Sequence, residues 1–137
     1  MDYEIINHTA DVCLRVYGKS LDELFENAAR AMMELITDRE KINPSQEIEI
    51  EVRGETKEEL LVHWLQEILF LHEVKKIVFK DFRLNLISET HAKGKAIGEK
   101  IDINKHELSF DIKAVTYHNL KIEPINDKLK VDIVFDV

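Results

Sequence analysis

Residues 56–72 have the sequence TKEELLVHWLQEILFLH, which predicts a buried helix. Thr56 and Glu59 form a capping box, in which the threonine hydroxyl accepts a hydrogen bond from a first-turn N–H and the glutamate reaches back. The apolar residues that follow recur at helical spacing, and they are Leu60, Leu61, Trp64, Leu65, Ile68 and Leu69. A stripe of this width predicts that the helix is well buried.

A second capping box, Ser20 with Glu23, precedes another apolar stripe and predicts a helix near 20–36. The remaining segments alternate apolar and polar residues and predict strands at 12–17, 47–52, 110–117 and 129–136, with a hairpin formed by 77–88 and 92–98. The alternation of glutamates at 47, 49 and 51 indicates a face or edge open to water. We therefore expect an α+β fold, a two-layer sandwich in which two helices pack on one face of a mixed β-sheet.

The length of 137 residues predicts a single domain over residues 1–137. The one cysteine, Cys13, cannot form a disulfide framework, which fits a reducing compartment. The first residues lack the pattern of a signal peptide, and no apolar stretch reaches the roughly 20 residues of a membrane helix. These features predict a cytoplasmic protein with no membrane partner.

The formal net charge of −8 argues against strong direct binding of nucleic acid, because phosphate neutralisation needs clustered lysine and arginine. The chain also lacks a glycine-rich phosphate loop, a cysteine pair for zinc, a His-Glu-x-x-His motif and a nucleophile elbow. We therefore expect no catalytic residues.

Strand alternation brings together three polar residues that lie far apart in the sequence. Asp11 alternates with the apolar Val12, and Asp136 alternates with Phe135. Lys113 likewise stands between two apolar residues, so all three side chains are expected on the outer face of the sheet. With the terminal carboxylate of Val137 beside Asp136, they would form an oxygen-rich site suited to Ca²⁺ or Mg²⁺. The alternative is that Asp11 only caps a turn at the strand start and that Asp136 is only a solvated residue near the chain end.

Four motifs in these segments resemble the archease family. They are His8-Thr9-Ala10-Asp11-Val12, Gly98-Glu99, the run from Ile112 to His118, and the ending Val134-Phe135-Asp136-Val137. The resemblance covers the whole chain, including the tryptophan-containing second helix. Two residues depart from the family pattern: Asn7 replaces a usual aspartate and Cys13 a frequent glycine.

The resemblance implies an accessory protein of tRNA processing that acts with an RtcB-type RNA ligase, promoting its guanylylation and multiple turnover in tRNA splicing. It also implies a divalent metal held by Asp11, Asp136 and the carboxylate of Val137. Calcium is the metal expected, with Mg²⁺ and Mn²⁺ as alternatives. His8, Lys113 and His118 are expected to form the patch that activates the partner.

Two other functions stay open on the sequence. The family resemblance also implies a chaperone-like specificity modulator of a tRNA cytosine-5 methyltransferase. A free-standing metal-dependent hydrolase, with Asp11 and Asp136 activating water, is the weaker alternative because no general base stands out.

Overall fold

The computed structural model describes residues 2–8 and 11–137. In chain order the elements are β1 (Tyr3–His8), β2 (Asp11–Gly18), α1 (Leu21–Ile36), a single 3₁₀ turn (Arg39–Lys41), β3 (Gln46–Arg53), α2 (Lys57–Lys75), β4 (Ile77–Ile87), β5 (His91–Lys100), β6 (Ala114–Val115), β7 (Glu123–Ile125) and β8 (Lys128–Asp136). The segment between β5 and β6 is largely irregular. None of the helices described combines the length and the apolar run that a bilayer crossing would require.

Both helices begin at the capping boxes that the sequence predicts. At the start of α2, the Thr56 hydroxyl accepts a hydrogen bond from the Glu59 N–H at 3.1 Å, and the Glu59 carboxylate accepts one from the Glu55 N–H at 3.0 Å. Ser20 caps α1 in the same way. These side chains satisfy first-turn N–H groups that have no partner within a helix. At its far end α2 stops at Lys76, whose backbone is left-handed with φ 58°.

The strands form two antiparallel sheets. One has the order β1-β2-β8-β6, with β7 also pairing with β8, and the other has the order β3-β5-β4. The predicted α+β class is confirmed, but the single mixed sheet is corrected, since every described pair is antiparallel. Alternation identifies which face of a strand is apolar, whereas it carries no information about which strand lies beside it.

The helices contact both sheets, which corrects the expectation that they cover one face of one sheet. Helix α1 packs on β2 and β4, and α2 packs on β3, β4, β5 and β6. Trp64 of α2 contacts both α1 and β4. Its Nε1–H donates to the Phe25 carbonyl of α1 at 3.1 Å, and its ring packs edge-on against the Phe82 ring of β4, with 6.4 Å between the ring centroids. The apolar residues of both helices and both sheets therefore form one buried cluster.

Candidate functional site

Asp11 and Asp136 lie opposite each other at one end of the β2–β8 pair. Asp11 is the first residue of β2 and Asp136 the last of β8, so the antiparallel register places them in one rung. Directly opposed residues of such a pair project from the same face of the sheet. Both aspartates are exposed, while their neighbours Val12 and Phe135 are buried in the core. The two aspartates therefore share the outer face, as their strand alternation predicts.

Four residues along each strand, the same face carries a rung of opposite charge. Arg15 donates to both carboxylate oxygens of Asp132, from Nε at 2.8 Å and from Nη2 at 3.1 Å. This hydrogen bonding raises the pKa of Arg15. The sequence analysis did not single out this ion pair, although both residues share the alternation of Asp11 and Asp136. Within residues 2–8 and 11–137, no ion pair of this kind joins the Asp11–Asp136 rung, and like charges directly opposite are destabilising.

Strand β6 lies on the other side of Asp136. Ala114 is opposite Asp136 and Val115 opposite Phe135, and the Lys113 N–H donates to the Asp136 carbonyl at 2.7 Å. Ala114 therefore projects from the same face as Asp136. Lys113 precedes β6, and its place on the outer face stays a prediction. The Lys113 side chain is exposed at this end of the sheet.

The donor set of this rung suits a hard cation, although it is small. Asp11 and Asp136 supply carboxylate oxygens, the ligands that Ca²⁺ and Mg²⁺ prefer. Over residues 2–8 and 11–137, no group of three or more His, Cys, Asp or Glu side chains could hold a metal ion. The predicted third ligand, the carboxylate of Val137, follows Asp136 directly in the chain and stays a prediction. The Val137 side chain is half-buried and packs against the core.

The two histidines of the expected patch differ in how much of each residue the structure describes. His118 is exposed in the turn that follows β6, where its N–H donates to the Thr116 hydroxyl at 3.3 Å. The next residue, Asn119, is left-handed with φ 52°, which fixes the turn. His8 is the last residue of β1, and its backbone pairs with Val12 of β2, next to Asp11. The His8 side chain lies outside the described part of the structure, as do Thr9 and Ala10.

The Gly98-Glu99 motif has a structural role. A Cβ at Gly98 would collide with the Val78 carbonyl oxygen of β4. Burial raises the pKa of Glu99, but hydrogen bonds from Lys105, the Asn43 N–H and His106 outweigh it and lower the pKa to about 2. His106 is buried, and its Nδ1 accepts a hydrogen bond from a backbone N–H, so its Nε2–H donates to Glu99 at 2.9 Å. Glu99 therefore anchors the irregular segment after β5.

Fold and site together define a class: an α+β protein of two helices against two antiparallel sheets, with opposed aspartates where β2 begins and β8 ends. The family model of the archease protein family matches residues 3–137. The chain belongs to the archease family.

Named relatives and solved structures agree with this assignment. The chain is 42% identical over 139 residues to a protein archease of Methanosarcina barkeri, covering 98% of this chain and 95% of that one. It is 43% identical over 128 residues to a protein archease of Pyrococcus furiosus, covering 91% and 90%. The solution structure of Methanobacterium thermoautotrophicum protein 1598 superposes with a TM-score of 0.87 at 34% identity over 99% of both chains. A Thermotoga maritima crystal structure, described as an archease and possible chaperone, has a TM-score of 0.69 at 28% identity over 98% and 96%.

Proposed function

We propose that this protein is an accessory factor, not an enzyme, that activates an RtcB-type RNA ligase in tRNA splicing through a divalent cation at the Asp11–Asp136 rung. The cation is Ca²⁺, with Mg²⁺ and Mn²⁺ as alternatives, and the Val137 carboxylate is its third protein ligand. Family membership supports the accessory role. The observation that carries the site is the direct opposition of two exposed aspartates on neighbouring strands.

A bound cation would resolve the electrostatic conflict in this rung. The two carboxylates repel each other across the strands, and a divalent cation between them converts that repulsion into attraction. The cation would present a positive centre at an exposed sheet end, where a partner can reach it.

The expected activation patch borders the same end of the sheet. Lys113 is tied to Asp136 through its backbone N–H, and its side chain is exposed. His118 is exposed one turn further along the chain. With His8 they would surround the cation on the surface that meets the ligase. The net charge of −8 favours encounter with a positively charged RNA-processing enzyme.

The test measures guanylylation and RNA joining by a purified RtcB-type ligase with and without this protein. Native protein should raise the guanylylated fraction and the number of turnovers. Asp11→Asn and Asp136→Asn should each abolish the stimulation, because each removes one of few oxygen donors. The matched control is Asp132→Asn on the same face of β8, which should stimulate like the native protein.

Direct binding of the cation is measured separately, by calorimetric titration of chelator-treated protein with Ca²⁺. Loss of cation binding in Asp11→Asn without loss of stimulation would separate the metal from the activation and contradict the proposal. Equal stimulation by all three variants would remove the rung from the function.

A second function is a chaperone-like modulator of a tRNA cytosine-5 methyltransferase. The relevant observation is that the Thermotoga maritima archease is described as a possible chaperone. This function predicts changed site selection or solubility of the methyltransferase and no effect on ligase guanylylation. A metal-dependent hydrolase instead predicts multiple turnover of RNA by the isolated protein, abolished by Asp11→Ala.

A further inference from the structure

The two edges of the three-stranded sheet, β4 and β3, differ in the partners of their outward-facing backbone groups. On the outer edge of β4, the Leu84 N–H donates to the Glu26 carboxylate at 2.9 Å and the Lys80 carbonyl accepts from Arg39 Nε at 2.9 Å. Side chains of α1 and the 3₁₀ turn therefore cap that edge. The opposite edge is β3, which within the described part of the chain has a strand neighbour, β5, on one side only.

The register shows which backbone groups of β3 face outward. Gly54 N–H donates to the Thr90 carbonyl at 3.0 Å, which continues the β3–β5 register by one hydrogen-bonded pair. Because hydrogen-bonded and non-hydrogen-bonded pairs alternate, Glu47, Glu49 and Glu51 direct their N–H and C=O groups away from β5. The next outward carbonyl, that of Arg53, is hydrogen-bonded to His63 Nδ1 of α2 at 2.6 Å.

An open cleft runs between this edge and the exposed side of α2. Its volume is about 330 Å³, and its lining residues are Val52, Arg53, His63, Gln66, Glu67 and Phe70. Phe70 is 50% exposed there, so its ring offers an apolar surface to a ligand in the cleft. Gln66, which also lines the cleft, donates from Nε2 to the Val115 carbonyl of β6 at 3.4 Å. The exposed side of α2 thus lies between β3 and β6, each of which is an edge strand of its sheet.

We propose that an extended, basic segment of a partner protein adds as a strand to the free edge of β3. Its backbone would pair with Glu47, Glu49 and Glu51, and its alternate apolar side chains would enter the cleft against Phe70. Lysine or arginine on the other face would lie beside the three glutamates. The neighbour of β3 on its other side, strand β5, already places a lysine opposite a glutamate, because Lys95 is opposite Glu49.

A second copy of this chain does not fit the same edge. Antiparallel self-pairing of β3 about Glu49 would place glutamate opposite glutamate in every outer-face rung, which is destabilising. The same charges therefore favour a basic strand and oppose a β3–β3 dimer. The inference is independent of the proposed ligase activation, because none of its residues belongs to the Asp11–Asp136 rung.

The experiment titrates the ¹⁵N-labelled protein with a synthetic Lys-Val-Lys-Val-Lys-Val-Lys peptide, with Glu-Val-Glu-Val-Glu-Val-Glu as the charge control. A third peptide has the basic sequence with an N-methyl group on every amide, so that it keeps its charge but neither of its edges can donate to β3. Only the unmethylated basic peptide should slow hydrogen exchange at the amides of Glu47, Glu49 and Glu51. Its binding should weaken with salt.

Variants of the protein test the same geometry. Glu49→Pro removes an outward N–H without breaking the pairing with β5, and should weaken binding by at least about tenfold. The matched Glu49→Gln keeps the N–H and should weaken it only about threefold. Phe70→Ala should weaken binding through lost contact in the cleft, and Asp136→Asn should leave it unchanged.

Three results would overturn the inference. The first is equal binding of the methylated and unmethylated basic peptides, which would make the attraction purely electrostatic. The second is protection of amides elsewhere but not in β3. The third is a concentration-dependent dimer that protects the β3 amides without peptide, which would make a second copy the occupant.

Discussion

Asp132 lies opposite Arg15 in the β2–β8 pair and accepts two hydrogen bonds from its guanidinium. The outer face of these strands therefore carries an opposite-charge rung and, four residues along each strand, the like-charge rung of Asp11 and Asp136. Cross-strand pairs of these two kinds have opposite effects on sheet stability. This contrast is the reason for which we propose a cation at the Asp11–Asp136 end of the strands.

The first prediction concerns the stability of that rung. In the presence of a chelator, Asp11→Asn should stabilise the protein by about 0.5 kcal/mol, because it removes a like-charge opposition. With saturating Ca²⁺ the order should reverse, since only the native protein gains the free energy of cation binding. Thermal unfolding with and without Ca²⁺ measures both differences. Asp132→Asn is the control and should destabilise by about 0.5 kcal/mol in both conditions.

The second prediction concerns Val137. Adding a short Gly-Ser extension after Val137 moves the terminal carboxylate away from Asp136 and should abolish stimulation of the ligase, while circular dichroism stays unchanged. An extension before Met1 is the matched control and should stimulate normally. Full stimulation by the C-terminally extended protein would show that the carboxylate is not a ligand.

The third prediction follows from the pKa of Glu99, which is lowered from its ordinary value of 4.5 to about 2. A carboxyl whose pKa is depressed in the folded state stabilises the protein above the ordinary pKa, and this contribution is lost as pH falls towards the lowered value. Glu99→Gln should therefore reduce the free energy of unfolding at pH 7 by about 1–3 kcal/mol. The difference from native protein should shrink between pH 4.5 and 2.

Urea unfolding at a series of pH values makes this measurement. Glu89→Gln, in the exposed turn between β4 and β5, is the control and should change stability little at any pH. A Glu99→Gln deficit that is constant from pH 7 to pH 2 would contradict the role given to its ionised form.

The fourth prediction concerns the core. Trp64→Phe removes the Nε1–H donated to the Phe25 carbonyl and leaves a space beside Phe82. We expect a loss of about 1–3 kcal/mol in the free energy of unfolding. Phe70→Leu, at a half-exposed position of the same helix, should change it by less than about 0.5 kcal/mol. Chemical denaturation of both variants compares the two positions.

Local features were predictable from the sequence because their causes are local. The boxes at Ser20 and Thr56 begin helices as expected, and the hairpin of β4 and β5 forms where the alternation predicts it. Alternation also places Asp11 and Asp136 on one face. The capping boxes and the alternation along each strand depend on residues within a few positions of one another, where side-chain direction follows from backbone periodicity.

Features that depend on pairing were not predictable in the same way. Strand β1 was not expected, and the strand predicted at 110–117 shortens to Ala114–Val115, so that Lys113 precedes it. The roles of Glu99 and His106 arise from a hydrogen-bond network across an irregular segment, which has no periodic signal. Division of the strands into two sheets likewise depends on packing between distant parts of the chain.

The position of β8 in the first sheet bears on how the protein is made. This strand is the last described element in chain order and lies between β2 and β6, and the contact from Arg15 to Asp132 spans 117 positions of sequence. Contacts of such long range slow folding, because the connecting chain must be closed before they form. During synthesis β2 emerges long before its partner, with an open strand edge and an apolar face uncovered. The first sheet can therefore be completed only after translation of Lys128–Asp136, and the nascent chain is most exposed to aggregation in that interval.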